Sequence, residues 1–196
     1  GDYIKAIHQK VYSELISKVL YPSESISFGK ELRLVQEFFL VFCSIRDITR
    51  RFLKQNRNIE ELPEFTAIQL NDTHPALAVA ELMRLLVDER RVPWERAWNI
   101  VTRTLAFTNH TLMPEALEMW SVELMEKVLP RHLQIIYEIN RRFLDSIRQS
   151  GPVDDAKIRR MSLIDENNGK QVRMAHLAVV GSHSVNVVSK LHSELV

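Results

Sequence analysis

The sequence predicts a helix-rich α/β fold. Three observations carry that reading. Glycine is scarce, with five in 196 residues, where ordinary usage of about 7% would give roughly fourteen. Apolar side chains recur at spacings of three and four along most of the chain, the period of one helix face. One short segment with β-branched residues, 66–70, runs into Asn71-Asp72-Thr73-His74-Pro75, a strand–turn–helix pattern.

The elements follow in order. Ile4, Ile7, Val11, Leu15, Ile16 and Val19 predict a helix over 2–20, stopped by Pro22. Residues 23–29 read as a polar loop ending in Gly29. A wide apolar stripe from Leu32 to Phe52 predicts a buried helix over 30–54, and its basic end suits a helix C-terminus. A polar connection over 55–65 contains Pro63. After the strand at 66–70, Pro75 opens a helix running to Glu89. Pro93 opens another, to about Leu105, followed by a loop over 108–111. Short helices are predicted over 115–120 and 121–129, and a long one from Pro130 to about Arg148, broken by Ser150-Gly151-Pro152. Residues 161–165 and 171–174 predict a hairpin around Asn167-Asn168-Gly169. Helices over 175–180 and 185–195, on either side of Gly181, complete the reading.

Charge and cysteine content narrow the function. A net charge of +1 offers no global field for nucleic acid or an anionic membrane. The lone Cys43 cannot form an internal disulfide or a zinc ribbon, so a reducing, cytoplasmic setting is expected. The longest apolar run, 38–43, is far short of the ~20 residues a membrane span needs. No basic-plus-apolar leader pattern stands at the start. No paired-histidine spacing typical of zinc sites occurs, so no metal is expected. The chain starts at Gly1 and ends at Val196 without obvious punctuation, which reads as a fragment.

Two constellations can carry chemistry. Asn71–Pro75 puts Asp72 and His74 at the carboxyl end of a predicted strand, where ligands bind in open α/β sheets. The same residues also fit ordinary helix capping by Asp72 or Thr73. The second segment, 108–118, gathers His110, Glu115 and Glu118, side chains suited to the hydroxyls of a polyol. A plain turn before a short helix opened by Pro114 is the ordinary reading of the same residues. Arg131, Arg141, Arg142, Arg148, Lys157, Arg159 and Arg160 read as a solvated face or as a phosphate or saccharide surface.

The strings themselves resemble one family. Val19-Leu20-Tyr21-Pro22, Gly29-Lys30-Glu31-Leu32-Arg33-Leu34 and Ile68-Gln69-Leu70-Asn71-Asp72-Thr73-His74-Pro75 match α-glucan phosphorylases. So do Thr108-Asn109-His110-Thr111, Pro114-Glu115-Ala116-Leu117-Glu118, Leu129-Pro130-Arg131-His132-Leu133-Gln134-Ile135-Ile136, Met174-Ala175-His176-Leu177 and Gly181-Ser182-His183-Ser184-Val185-Asn186. They occur in family order over nearly the whole chain.

The resemblance implies a part of a doubly wound, glycosyltransferase-type α/β domain: the later part of the first of two domains. It implies phosphorolysis of an α-1,4-glucan (glycogen or maltodextrin) by inorganic phosphate, releasing α-glucose 1-phosphate. The pyridoxal phosphate that the family uses would be held by the second domain, so no cofactor-binding residue is expected here. His110 would contact the glucosyl unit, and Asp72, His74 and Glu118 would line the sugar pocket. Glu24 and Ser25 would belong to a mobile gate. Here the gate reads Ser23-Glu24-Ser25 where many members have Asn-Asp-Asn. A second glucan site would use Gln134, Tyr137, Asn140 and Arg142, with Arg141 departing from the usual amide. The first helix would contribute to a homodimer. Alone, the segment is expected to be inactive. The alternative is a stand-alone carbohydrate-binding or structural module.

Overall fold

The computed structural model describes residues 2–20, 22, 27–111, 113–167 and 169–188. It is a helix-rich α/β structure with two small sheets, as the composition and spacing predict. Helices α1 (Asp2–Lys18) and α2 (Ser27–Leu53) lead into a 3₁₀ turn (Ile59–Glu61) and the short α3 (Leu62–Phe65). Strand β1 (Ile68–Asn71) is followed by α4 (Ala78–Arg84), which continues as a π-helical turn (Leu85–Glu89), and by α5 (Trp94–Thr104). Strand β2 (Leu105–Asn109) pairs parallel with β1, with Leu70 opposite Phe107 and Asn71 opposite Thr108. A third parallel strand, β6 (Val185–Val187), joins the other edge of β2 and gives the order β1-β2-β6.

The second sheet is antiparallel. Strand β3 (Met119–Ser121) follows a 3₁₀ turn at Pro114–Ala116, and β4 (Ile164–Asp165) and β5 (Gln171–Arg173) form the hairpin expected around Gly169. Between them lie α6 (Val122–Val128), α7 (Pro130–Gln149) and α8 (Asp155–Met161), and α9 (Met174–Val180) connects β5 toward β6.

The core forms around α4. Every residue from Ala78 to Met83 is buried. That includes one charge, Glu81, with no exposed surface. Its carboxylate takes two hydrogen bonds from Arg84, each 2.8 Å, and one at 2.6 Å from the buried His132 on α7. Burial alone would raise the Glu81 pKa, but the bonds from Arg84 and His132 outweigh it and hold the carboxyl below its ordinary 4.5. His132 also packs edge-on against Phe38 of α2, with ring centroids 4.8 Å apart. Arg84 reaches Glu89, which in turn binds Arg46 of α2. One chain of hydrogen bonds thus ties α2, α4 and α7.

Several elements differ from the sequence reading. Gly29 is not a loop end; it is a buried residue inside α2, which begins at Ser27. The 55–65 connection is largely helical. Asn58 and Glu61 form a capping box, and Pro63 takes a first-turn position where its missing N–H costs nothing. Residues 105–109 are a strand, because Leu105 and Phe107 face the core while β1 supplies a parallel partner. The predicted helix over 115–120 is a 3₁₀ turn followed by β3, which β5 captures by pairing. Helix α8 has no counterpart in the sequence reading. Val185–Val187 is strand and not helix, its β-branched residues pairing with β2. From residue 189 on, that predicted helix (185–195) falls outside the described residues. Along α1, Ile7 and Val11 are 43% and 50% exposed, so part of its apolar face is uncovered.

Three outcomes are expected. Replacing His132 with Ala leaves a buried carboxylate with one partner fewer, and should cost about 1.5–3 kcal/mol in urea denaturation. Because the Glu81 pKa is depressed on folding, its contribution is fully present above about pH 4.5 and is lost as pH falls below that. The wild-type urea midpoint should therefore drop with acidification more steeply than that of a Glu81→Gln variant. Gly181 lies against Val79, and an added Cβ would meet a Val79 methyl at 2.5 Å. Gly181→Ala should therefore destabilise by about 1–3 kcal/mol.

Candidate active site

Strands β1 and β2 end side by side, and the ladder runs one rung further: the Asp72 N–H donates to the Thr108 carbonyl at 2.8 Å. The chain then turns sharply, with Asp72 at φ 59. Asp tolerates this left-handed conformation better than most residues because its short side chain bonds locally. Here Oδ1 accepts from the Thr73 N–H at 2.6 Å, and Oδ2 accepts from the Thr111 hydroxyl at 3.0 Å. Asp72 therefore clasps the segment leaving β1 to the segment leaving β2. It does not cap α4, which starts at Ala78 with Leu77 as its cap. Plain helix capping does not describe it.

His110 follows β2 directly and is exposed. Its Nε2 lies 2.5 Å from Asn71 Oδ1, at the end of β1. The residues on either side are fixed: Asn109 Oδ1 accepts from the Thr111 N–H at 3.0 Å, and Thr111 is held by Asp72. Across the sheet a polar row continues, with Gln69 Nε2 donating to Thr108 Oγ1 at 2.8 Å and Thr108 donating to Asn186 Oδ1 at 2.9 Å. The carboxyl end of the sheet thus presents amides, hydroxyls and an imidazole, a set suited to a polyhydroxylated ligand.

His74 points to a different neighbourhood. Its Nδ1 is 3.4 Å from Arg33 Nη2, 3.4 Å from Glu37 Oε1 and 3.6 Å from Glu118 Oε2. Arg33 itself is 3.6 Å from each carboxylate. Arg33 and Glu37 are four residues apart on α2, while Glu118 precedes β3. The carbonyl of Glu118 accepts from the Met174 N–H, which fixes its backbone. A cavity of about 490 Å³ opens here, lined by Arg33, Asp72, His74, Thr111, Glu115 and Glu118 among others. Glu118 Oε1 and Trp120 Nε1 are buried with no hydrogen-bond partner among the described residues, so each is available to a hydroxyl group or water. Glu37, His74 and Glu118 bring three ligand atoms within 4.8 Å of one another. The Arg33 guanidinium lies against the same atoms, so a dication would have to compete with a resident positive charge.

The structure therefore brings Asp72, His74 and Glu118 to one cavity, with His110 on the neighbouring strand end, joined to Asp72 through Thr111. Glu24 and Ser25 fall outside the described residues. On α7, Tyr137 is exposed and Gln134 Oε1 accepts from Arg131 at 3.0 Å. Asn140 Oδ1 accepts from the Leu163 N–H at 2.8 Å, which spends it on the fold. Arg142 bonds Glu138 and Glu95 and lies over the Trp94 ring. Pyridoxal phosphate needs a sheltered lysine. The described lysines are all exposed, so none is sheltered by these residues themselves.

Comparison with known proteins shows the family. The family model described as carbohydrate phosphorylase matches residues 1–196. This chain belongs to that family. It is similar to glycogen phosphorylase of Synechocystis, 56% identical over the full chain and 23% of that relative's length. Glycogen phosphorylase 2 of Dictyostelium discoideum is 54% identical, again over the full chain, which covers 20% of it. The liver form of glycogen phosphorylase from Bos taurus is 52% identical, with 24% covered. The chain thus spans about a quarter of the length of these phosphorylases.

Sequence reasoning assigned no role to Asn71, Arg33, Glu37 or Thr111. The Arg33 and Glu37 spacing on a helix was visible, but their meeting with His74, 41 and 37 residues away, is purely tertiary. Asp72 offers a direct check of the turn. Asp72→Ala loses both carboxylate bonds and suits φ 59 poorly, and should cost about 1–2 kcal/mol. Asp72→Asn keeps an acceptor and a tolerated conformation and should cost less than ~1 kcal/mol. Thermal unfolding of the pair reads the difference.

Proposed function

We propose that the longer protein containing this segment is an α-1,4-glucan phosphorylase. It cleaves the terminal glucosyl unit of glycogen or maltodextrin with inorganic phosphate and releases α-glucose 1-phosphate. In this reading the segment is the later part of the first domain and forms one wall of the sugar pocket. Pyridoxal phosphate is held by the part of the protein outside these residues. The protein works in the cytoplasm as a homodimer, with the uncovered apolar face of α1 as part of its contact.

The observation that carries the reading is the clasp at the strand ends. Asp72 and His110 are fixed together beyond β1 and β2, beside a polar cavity, in a chain matching glycogen phosphorylases over its full length. The chemistry follows from those positions. His110 orients the glucosyl unit through a hydroxyl, and its backbone carbonyl sets a partial negative charge near the positive charge that develops as the glycosidic bond breaks. Asp72, His74 and Glu118 take the remaining hydroxyls. A second glucan contact on α7 uses Gln134 and Tyr137, with Arg142 and Asn140 shaping that face.

The test is phosphate-dependent release of glucose 1-phosphate from maltodextrin by the full-length protein, with and without added pyridoxal phosphate. Cofactor-dependent release is expected. His110→Ala should lower kcat/KM by about 100-fold or more, and Asp72→Asn, which keeps the turn but weakens a charged contact to a hydroxyl, by about 10-fold. The 196-residue chain alone should release none. A folded, cofactor-loaded protein without activity, or variants with wild-type rates, would reject the reading. Saturable maltooligosaccharide binding by an inactive protein would favour the binding-module alternative.

A further inference from the structure

We propose that Asn71 is a positioning residue: it holds His110 as the Nε2–H tautomer and leaves Nδ1 as a hydrogen-bond acceptor for a ligand hydroxyl. The proposal rests on the reading of His110 as a contact to the glucosyl unit, and it adds the direction of that contact.

The argument starts from the backbone. Asn71 stands opposite Thr108 in the parallel register, and the rung from the Asp72 N–H to the Thr108 carbonyl carries the pairing past both strand ends. The left-handed turn at Asp72 then takes the main chain away. That leaves the Asn71 side chain as the last group of β1 beside the last group of β2. His110 is held on the other side by the Asn109 to Thr111 turn and by the Thr111 hydroxyl on Asp72. Its main chain is thereby placed, but ring rotation about the side-chain bonds is not. Among the described residues, the ring is held by a hydrogen-bond contact from Nε2 to Asn71 Oδ1 at 2.5 Å.

An amide oxygen only accepts, so the partner nitrogen must carry the proton. In a neutral imidazole one nitrogen donates and the other accepts, and a bond to one fixes the other. Nε2–H toward Asn71 therefore makes Nδ1 a lone-pair acceptor. Such an atom takes an O–H from a sugar and rejects a group that can only accept.

The experiment uses full-length protein with histidine labelled at the ring nitrogens, and His110→Gln to identify its signals. The wild-type ring should show Nε2–H in its nitrogen chemical shifts. In Asn71→Ala the ring should become a mixture of tautomers, and kcat should fall about 10-fold with the KM for phosphate unchanged. Asn71→Asp restores an acceptor and should recover the Nε2–H form. Circular dichroism and thermal midpoints confirm that each variant is folded. An Nδ1–H ring in the wild type, or an unchanged tautomer in Asn71→Ala, overturns the proposal. The expected tautomers with an unchanged kcat would uphold the positioning and reject the catalytic reading of His110, so the two failures are separable.

Discussion

A single buried carboxylate constrains the arrangement of this structure. Glu81 is the one acidic residue in the fully buried run of α4, and an unpaired charge there would cost several kcal/mol. It is tolerable only where Arg84 folds back along α4 and His132 arrives from α7. That requirement fixes the approach of α7. It also fixes α2, whose Phe38 covers His132 and whose Arg46 continues the chain of hydrogen bonds through Glu89. The site inherits this rigidity. Arg33 and Glu37 lie on α2, and the Asp72 to His74 turn feeds directly into α4. A shift between those helices would pull the two halves of the Arg33–Glu37–His74–Glu118 cluster apart.

The second constraint is the clasp at the strand ends. Parallel strands place their carboxyl ends together, which is where α/β proteins form ligand sites. Asp72 turns that general tendency into a defined geometry by holding Thr73 with one oxygen and Thr111 with the other. Two stretches 39 residues apart in sequence thereby move as one. The polar row of Gln69, Thr108 and Asn186 extends the same edge across all three strands.

Much of this was legible in the sequence where a local rule governs. The long apolar stripe of α2, the Pro-opened α5 and α7, and the Asn-Gly hairpin all follow from period or turn chemistry, and all are present. The strand before Asp72 was readable because β-branched residues meet a helix-start signal. Strands β2 and β6 were not. Leu105–Asn109 follows a helix without punctuation, and its strand identity comes from pairing with β1, a tertiary effect. The same holds for Trp120, read as helical and captured into β3 by β5. In the site, the motif positions Asp72, His74, His110 and Glu118 stood out from residue type and resemblance. Asn71, Arg33 and Thr111 did not, because their roles exist only once separate segments meet.

The proposed glucosyl-binding wall is the edge formed by residues 71–74, 108–111 and 115–118. Hydrogen–deuterium exchange of the full-length protein, with and without saturating α-glucose 1-phosphate, tests it most directly. The account predicts slower exchange at the amides of those three segments, with α7 and α8 unchanged. Unchanged exchange there, with protection confined to other parts of the protein, would contradict it.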